Sequence, residues 1–287
     1  MLSDVTPFHF QGFDFFVKRD ELIDPLLSGN KYRKLYTLIQ TPAKFYDTIL
    51  SYGGSQSNAM LSIAALCHQK GWRFEYYCKP LATKLKQSLT GNLKAALDLG
   101  MLLMETADYD TTVAQLKSKD KILCLPQGGA DPLAEQGIQT LAQEIEQWQA
   151  EQNISKLSIV TPSGTGTTAY YLAKHLPKQT VFTTASVGNN AYLTQQMQQL
   201  GNIPSNLTLL EPNKTHRFAK PYPEFLKTYE KLKHAGIEFD LLYAPLMWQT
   251  LLLNMPHIQG SILYVHSGGL LGNTSMLARY AGLALSD

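Results

Sequence analysis

Leu157-Ser-Ile-Val-Thr-Pro-Ser-Gly-Thr-Gly-Thr-Thr168 is an apolar run that meets Pro162, then two glycines spaced by threonines, then an amphipathic stretch. That order is strand, tight turn, helix start. The small residues let several backbone N–H groups converge on an anion, and the helix N-terminus adds its partial positive charge. The spacing is not GxGxxG, and no acidic residue closes the next apolar run, Val181–Val187, which argues against a dinucleotide fingerprint. No Gly-Lys-Ser/Thr follows, so it is not a P-loop. Taken alone, the segment reads equally well as an ordinary strand-to-helix turn or as a phosphate cradle.

The same grammar recurs on either side. Tyr52-Gly-Gly-Ser-Gln-Ser-Asn58, Pro126-Gln-Gly-Gly-Ala130 and His266-Ser-Gly-Gly-Leu270 each follow a strand candidate. The candidates are Asp47–Tyr52, Arg73–Cys78, Met101–Glu105, Lys121–Leu125, Leu157–Thr161, Val181–Val187, Asn206–Glu211 and Ser261–His266. Amphipathic stretches alternate with them: Asn58–Lys70, Leu133–Gln149, Thr168–His175, Ala191–Leu200 and Glu224–Lys233, with Gly71, Gly100, Gly201 and Gly236 as stop signals. This alternation predicts an α/β protein built on mostly parallel sheet, whose ligands bind at the carboxyl ends of strands. There is no internal repeat, low-complexity tract or flexible linker, so two domains would share a close interface.

Composition narrows the function. In 287 residues, 17% are charged and 44% hydrophobic, against a usual charged share of ~25%. That describes a well-buried globule rather than a disordered chain. The net charge is +2, with 25 basic and 23 acidic residues interspersed, which points to neither nucleic acid nor an anionic membrane surface. Cys67, Cys78 and Cys124 lack CxxC spacing and fit buried thiols in a reducing compartment. Leu241–Ala278 holds no Asp, Glu, Lys or Arg, but Pro245, Asn254, Pro256 and Gly260 divide it. The pieces fall short of the ~20 residues a membrane span needs, so the stretch reads as core. The first residues show neither a basic nor an apolar signal region, and a cytoplasmic location is expected. There is no GxSxG elbow, and the histidines lack HxxxH or HxH spacing, so neither a serine hydrolase nor a zinc site is expected.

Near the N-terminus, Ser28-Gly-Asn-Lys-Tyr-Arg-Lys-Leu35 offers Lys31, whose amine would become nucleophilic if burial and the neighbouring Arg33 and Lys34 lowered its pKa. In isolation this is a loop leading into a helix with a basic face. Read together, Ser-Gly-Asn-Lys, Gly-Gly-Ser-Gln-Ser-Asn, Thr90-Gly-Asn-Leu93, Pro-Gln-Gly-Gly-Ala, Ser-Gly-Thr-Gly-Thr, Phe239-Asp-Leu-Leu-Tyr243 and His-Ser-Gly-Gly-Leu-Leu-Gly272 stand in one order. That order resembles the 1-aminocyclopropane-1-carboxylate (ACC) deaminase / D-cysteine desulfhydrase family of pyridoxal-phosphate enzymes, from about Phe16 to Gly272.

The resemblance implies a tryptophan synthase β-like fold, two open twisted sheets flanked by helices. The large domain would comprise residues 1–45 and 126–287, and the small one 46–125, with pyridoxal 5'-phosphate between them. It implies that Lys31 holds the coenzyme as an imine and later moves the substrate proton. Asn58 would bond the coenzyme 3-hydroxyl, and Ser57 would stand near the substrate carboxylate. Ser163, Gly164, Thr165, Gly166, Thr167 and Thr168 would cradle the phosphate, Tyr243 would stand beside the ring, and Ser267 would partner the ring nitrogen. The chain departs from the family's pattern at Ala59, Gln127, Phe218, Ala244 and Pro245-Leu-Met, where His, Glu, Tyr, Thr or Glu, and Gly-Lys are usual. Cofactor positions are kept while substrate-handling ones drift. The expected activity is β-elimination from a small amino acid, D-cysteine desulfhydrase-like, giving a 2-oxo acid and ammonia. The alternatives are an ACC deaminase and a coenzyme-binding protein with little catalysis. No metal is expected, and the family implies a homodimer.

Overall fold

The computed structural model describes residues 3–27, 29–129 and 132–284; Ser28 and Ala130, quoted in the motifs above, lie outside them. The chain opens with β1 (Val5–Phe10) and β2 (Phe13–Lys18), then α1 (Asn30–Lys34) and α2 (Tyr36–Gln40). Next come β3 (Thr48–Tyr52), α3 (Asn58–Lys70), β4 (Arg73–Cys78), α4 (Thr83–Gln87), α5 (Gly91–Asp98), β5 (Leu102–Glu105), α6 (Tyr109–Gln115) and β6 (Ile122–Leu125). After them follow α7 (Glu135–Glu151), β7 (Leu157–Val160), α8 (Thr167–His175), β8 (Thr180–Thr183), α9 (Asn190–Gln198) and β9 (Leu207–Leu209). The chain closes with α10 (Pro223–His234), α11 (Ala244–Asn254), β10 (Ser261–Val265) and α12 (Gly272–Ala284).

Two sheets form. One has the strand order β1-β2-β10-β7-β8-β9 and the other β5-β4-β3-β6. Every pairing is parallel except β1 with β2. The second sheet takes all its strands from between Thr48 and Leu125, and its core also collects Leu27, Leu35 and Leu38 from the N-terminal segment. In the larger sheet, Ile159, Leu263 and Val265 pack against α7 and α8 on one face, while Val160, Ile262 and Tyr264 pack against Phe239 and Trp248 on the other. Both faces are covered, as parallel sheets require. The uncharged stretch supplies much of this core, since Met247, Trp248 and Leu251 are fully buried. Among the described residues, no helix is long and apolar enough to cross a membrane.

The β1–β2 hairpin has no counterpart among the strands expected from the sequence. Pro7 demotes the first strand in any pattern reading, yet β1 is an edge strand that tolerates it. Gln11 and Gly12 turn the corner with φ of 54° and 82°, the left-handed pair that a two-residue hairpin turn needs. Val181–Val187 is corrected at its end, because β8 stops at Thr183. Beyond it the chain leaves the ladder to bond the turn after β7, where Ser186 N–H donates to the Ser163 carbonyl at 2.9 Å.

Candidate active site

Lys31 sits on α1, a helix of five residues, too short to hold itself together by propensity. Three tertiary contacts hold it. The Asn30 N–H donates to the Ser267 carbonyl at 3.1 Å. Gly29 comes so close to that carbonyl that a Cβ would lie 2.2 Å from its oxygen, and φ is 57°, so only glycine serves there. On the other side, Arg33 is clamped by Asp20 (2.8 Å) and Glu144 (2.7 Å), and Lys18 reaches Glu144 at 2.7 Å.

Arg33 and Lys34 were both expected to lend Lys31 a cationic field, and the structure separates them. Arg33 is 2% exposed, and its charge is matched by buried carboxylates away from the cleft. Lys34, one turn from Lys31, lines the cleft beside it and donates to the Gly128 carbonyl at 3.0 Å. Burial, and then Lys31, push the Lys34 amine well below its usual range. Burial brings the Lys31 amine down to about 8, opposed by the negative charge of Asp240. A pKa near 8 raises the neutral fraction at pH 7 by roughly two orders of magnitude over an ordinary lysine.

Asp240, within the Phe239–Tyr243 motif but not singled out from the sequence, acts on Lys31 by its charge. It is 2% exposed, and its Oδ1 accepts from the N–H groups of Leu242 (3.0 Å) and Tyr243 (2.7 Å). It therefore closes the turn that delivers Tyr243 to the cleft at the head of α11. Burial raises its carboxyl to about 6, against those backbone bonds and Lys31. Asn273 grips the same turn, accepting from Leu241 N–H at 2.8 Å and donating to the Phe239 carbonyl at 3.0 Å. Burial, then Asp240, push the Tyr243 phenol upward, so it is protonated at neutral pH. Phe218 packs on Tyr243 with ring centroids 5.2 Å apart.

The cleft gathers Lys31, Asn58, Gly164, Thr165, Tyr243 and Ser267. Ser57 stands beside it as N-cap of α3, its Oγ accepting from Met60 N–H at 3.3 Å. Ser163 does not line the cleft, since its hydroxyl accepts from Thr183 Oγ1 at 2.7 Å and its N–H bonds Thr184. Gly166 is the N-cap of α8 without a side-chain cap, and Thr167 and Thr168 begin that helix buried. The Thr168 hydroxyl is buried with no partner, a costly state unless a ligand supplies one. Of this turn only Gly164 and Thr165 line the cleft, together with Lys34, while Gly166, Thr167 and Thr168 do not; a lysine beside a glycine turn that opens a helix, with an unpartnered hydroxyl in its first turn, fits a phosphate. Lys31, Asn58 and Ser267 are the donors and acceptors that the ring end of pyridoxal phosphate needs. Among the described residues, no group of His, Cys, Asp and Glu could hold a metal ion.

Gly166 adopts φ 76°, and a Cβ there would lie 2.3 Å from Met197 Cγ. Gly166→Val is expected to cost about 2–5 kcal/mol, from left-handed strain and overpacking, and to weaken coenzyme binding at least tenfold. Thermal melting and coenzyme titration check it; wild-type affinity in the variant would show that the turn does not hold the phosphate.

Comparisons with known proteins agree with this geometry. The family model "Pyridoxal-phosphate dependent enzyme" matches residues 5–205. A Thermotoga maritima protein named "Putative 1-aminocyclopropane-1-carboxylate deaminase" is 25% identical over 287 aligned positions, covering 91% of this chain and 90% of its own. The D-cysteine desulfhydrase of Salmonella paratyphi A is 29% identical over 175 positions, 57% of this chain and 53% of its own. The crystal structure of an ACC deaminase homologue superposes with a TM-score of 0.79 at 21% identity, covering 97% of this chain and 94% of that one. It shows the shared fold.

Proposed function

The chain belongs to the pyridoxal-phosphate dependent enzymes, and we propose that it breaks down a small amino acid bearing a β-leaving group, releasing a 2-oxo acid and ammonia as a D-cysteine desulfhydrase does. One observation carries the choice: none of the described residues lining the cleft is a carboxylate. Ser267 lines it, and Ala244 is buried at the first position of α11. A hydroxyl beside the ring nitrogen does not keep that nitrogen charged as a carboxylate would. Bound pyridoxal phosphate supplies an electron sink for charge developing at the substrate α-carbon. With a neutral ring that sink is weak, so reactions with a good β-leaving group, a thiol or chloride, are favoured.

The residues divide the work. Lys31 would hold the coenzyme through Nζ and, as a free amine, would take the substrate α-proton on that atom, for which a pKa of about 8 is suited. Lys34 and the Gly164–Thr168 turn would hold the phosphate, Asn58 the 3-oxygen, and Ser57 at the start of α3 the substrate carboxylate. Tyr243, protonated, would lie beside the ring. The homodimer and the cytoplasmic compartment belong to the same proposal, resting on the family resemblance and the cysteine pattern.

The second reading is ACC deaminase, favoured by the relative of that name that covers 91% of this chain. Assaying pyruvate and 2-oxobutyrate under one set of conditions separates the two. Pyruvate from D-cysteine or β-chloro-D-alanine is expected to form at least about tenfold faster, ~1.4 kcal/mol in barrier, than 2-oxobutyrate from ACC. The reverse order selects the deaminase, and bound coenzyme without turnover selects the binding-protein alternative.

A further inference from the structure

Asn92 does not line the cleft, yet the Thr90-Gly91-Asn92-Leu93 run buries it at 1% exposure on α5. Its side-chain Nδ2 donates to the Gln56 backbone carbonyl at 3.1 Å and to Asn58 Oδ1 at 2.7 Å. The first contact determines the second. A backbone carbonyl only accepts, so the Asn92 atom facing it is the NH2 group. That NH2 needs an acceptor in its other contact as well, so the Asn58 atom it meets is the oxygen. The Asn58 NH2 is thereby turned the other way, toward Gly269, where a Cβ would lie 2.5 Å from it; Gly269 lines a hollow that shares Lys31, Asn58 and Ser267 with the cleft. Gly272 crowds the opposite end, a Cβ there lying 3.2 Å from Asn58 Oδ1. The Asn92 Oδ1 itself is buried without a partner. A residue chosen only to pack α5 against α3 would carry no such orphan, because an apolar side chain fills the space without that cost.

We propose that Asn92 is a positioning residue: it fixes the Asn58 amide with its NH2 toward the cleft, so that Asn58 meets the coenzyme as a donor. This rests on the reading of Asn58 as the group facing the coenzyme 3-oxygen. A donor there favours the ionised oxygen, which ties the orientation of Asn58 to the visible absorption of the bound coenzyme. Through Gln56, the same amide also holds the loop before α3 against α5.

The experiment is a double-mutant cycle on apo-protein titrated with pyridoxal phosphate, reading the dissociation constant and the share of absorbance in the long-wavelength band. Asn92→Ala is expected to weaken binding about tenfold and to lower that share, as Asn58→Ala does. In the Asn58→Ala background, Asn92→Ala is expected to add less than about twofold, because its effect passes through Asn58. Asn92→Ser, which keeps one donor, falls between wild type and alanine and serves if the alanine variant does not fold. Unchanged affinity and spectrum in both Asn92 variants, or equal losses with and without Asn58, overturn the proposal. Failure of the wild-type protein to bind pyridoxal phosphate would instead refute the assignment of the coenzyme to this cleft.

Discussion

The Lys31→Ala protein is expected to fold and to lose turnover by at least about 10³-fold, in the range for removing a positioned proton-transfer group. Its covalent hold on the coenzyme goes with it. Burial lowers the Lys31 amine against the pull of Asp240, and Lys34 in the same cleft is lowered by burial and by Lys31 itself. The absorption band of the lysine imine should therefore be absent from the variant, while pyridoxal phosphate still binds weakly, as the free aldehyde, through the phosphate turn. A variant that retains both the band and activity would move the nucleophile to another lysine.

Arg33→Met is expected to destabilise the protein by about 3–5 kcal/mol, the cost of breaking a buried ion pair from one side. At this chain length that lowers the melting temperature by roughly 6–20 °C. Among the described residues, Asp20, at 0% exposure, would keep the Ser3 hydroxyl at 2.6 Å as its side-chain partner, and Glu144 would keep Lys18. The pH dependence follows from Glu144. Burial pushes its carboxyl up, but the hydrogen bonds and charges of Arg33, then Lys18, outweigh this and hold it below the usual range. A depressed folded-state pKa gives stability that is present above the unfolded value, near 4.3, and is lost as pH falls through the folded one. Without Arg33, the acid-unfolding midpoint should move upward. Since Arg33 lies on the helix that carries Lys31, coenzyme affinity should fall with stability. Equal melting curves and equal acid midpoints would remove the ion cluster as the anchor of α1.

The parts of the site written into local pattern were readable from the chain, and the parts made by packing were not. Asn58–Lys70 is legible end to end as α3 because Ser57 caps its start and Gly71, at φ 71°, stops it. The four glycine turns show themselves because tight turns at strand ends demand glycine. A five-residue α1 carries too little periodicity to say which basic residue faces the cleft. The available signal was spacing: Lys34 lies three residues from Lys31 and shares its face, whereas Arg33, two residues away, does not. Asp240 and Asn273 are ordinary turn and helix-start residues in sequence, and only the meeting of α11, α12 and α1 gives them their task. The β1–β2 hairpin was hidden by Pro7, which matters only if the strand is internal.

Borohydride reduction of the coenzyme-loaded protein, followed by proteolysis and peptide mapping, tests the central claim most directly. The account predicts one pyridoxyl label per chain, on Lys31 in the peptide containing Gly29-Asn30-Lys31. Label on Lys34, on a lysine outside the cleft, or on no lysine at all would contradict it.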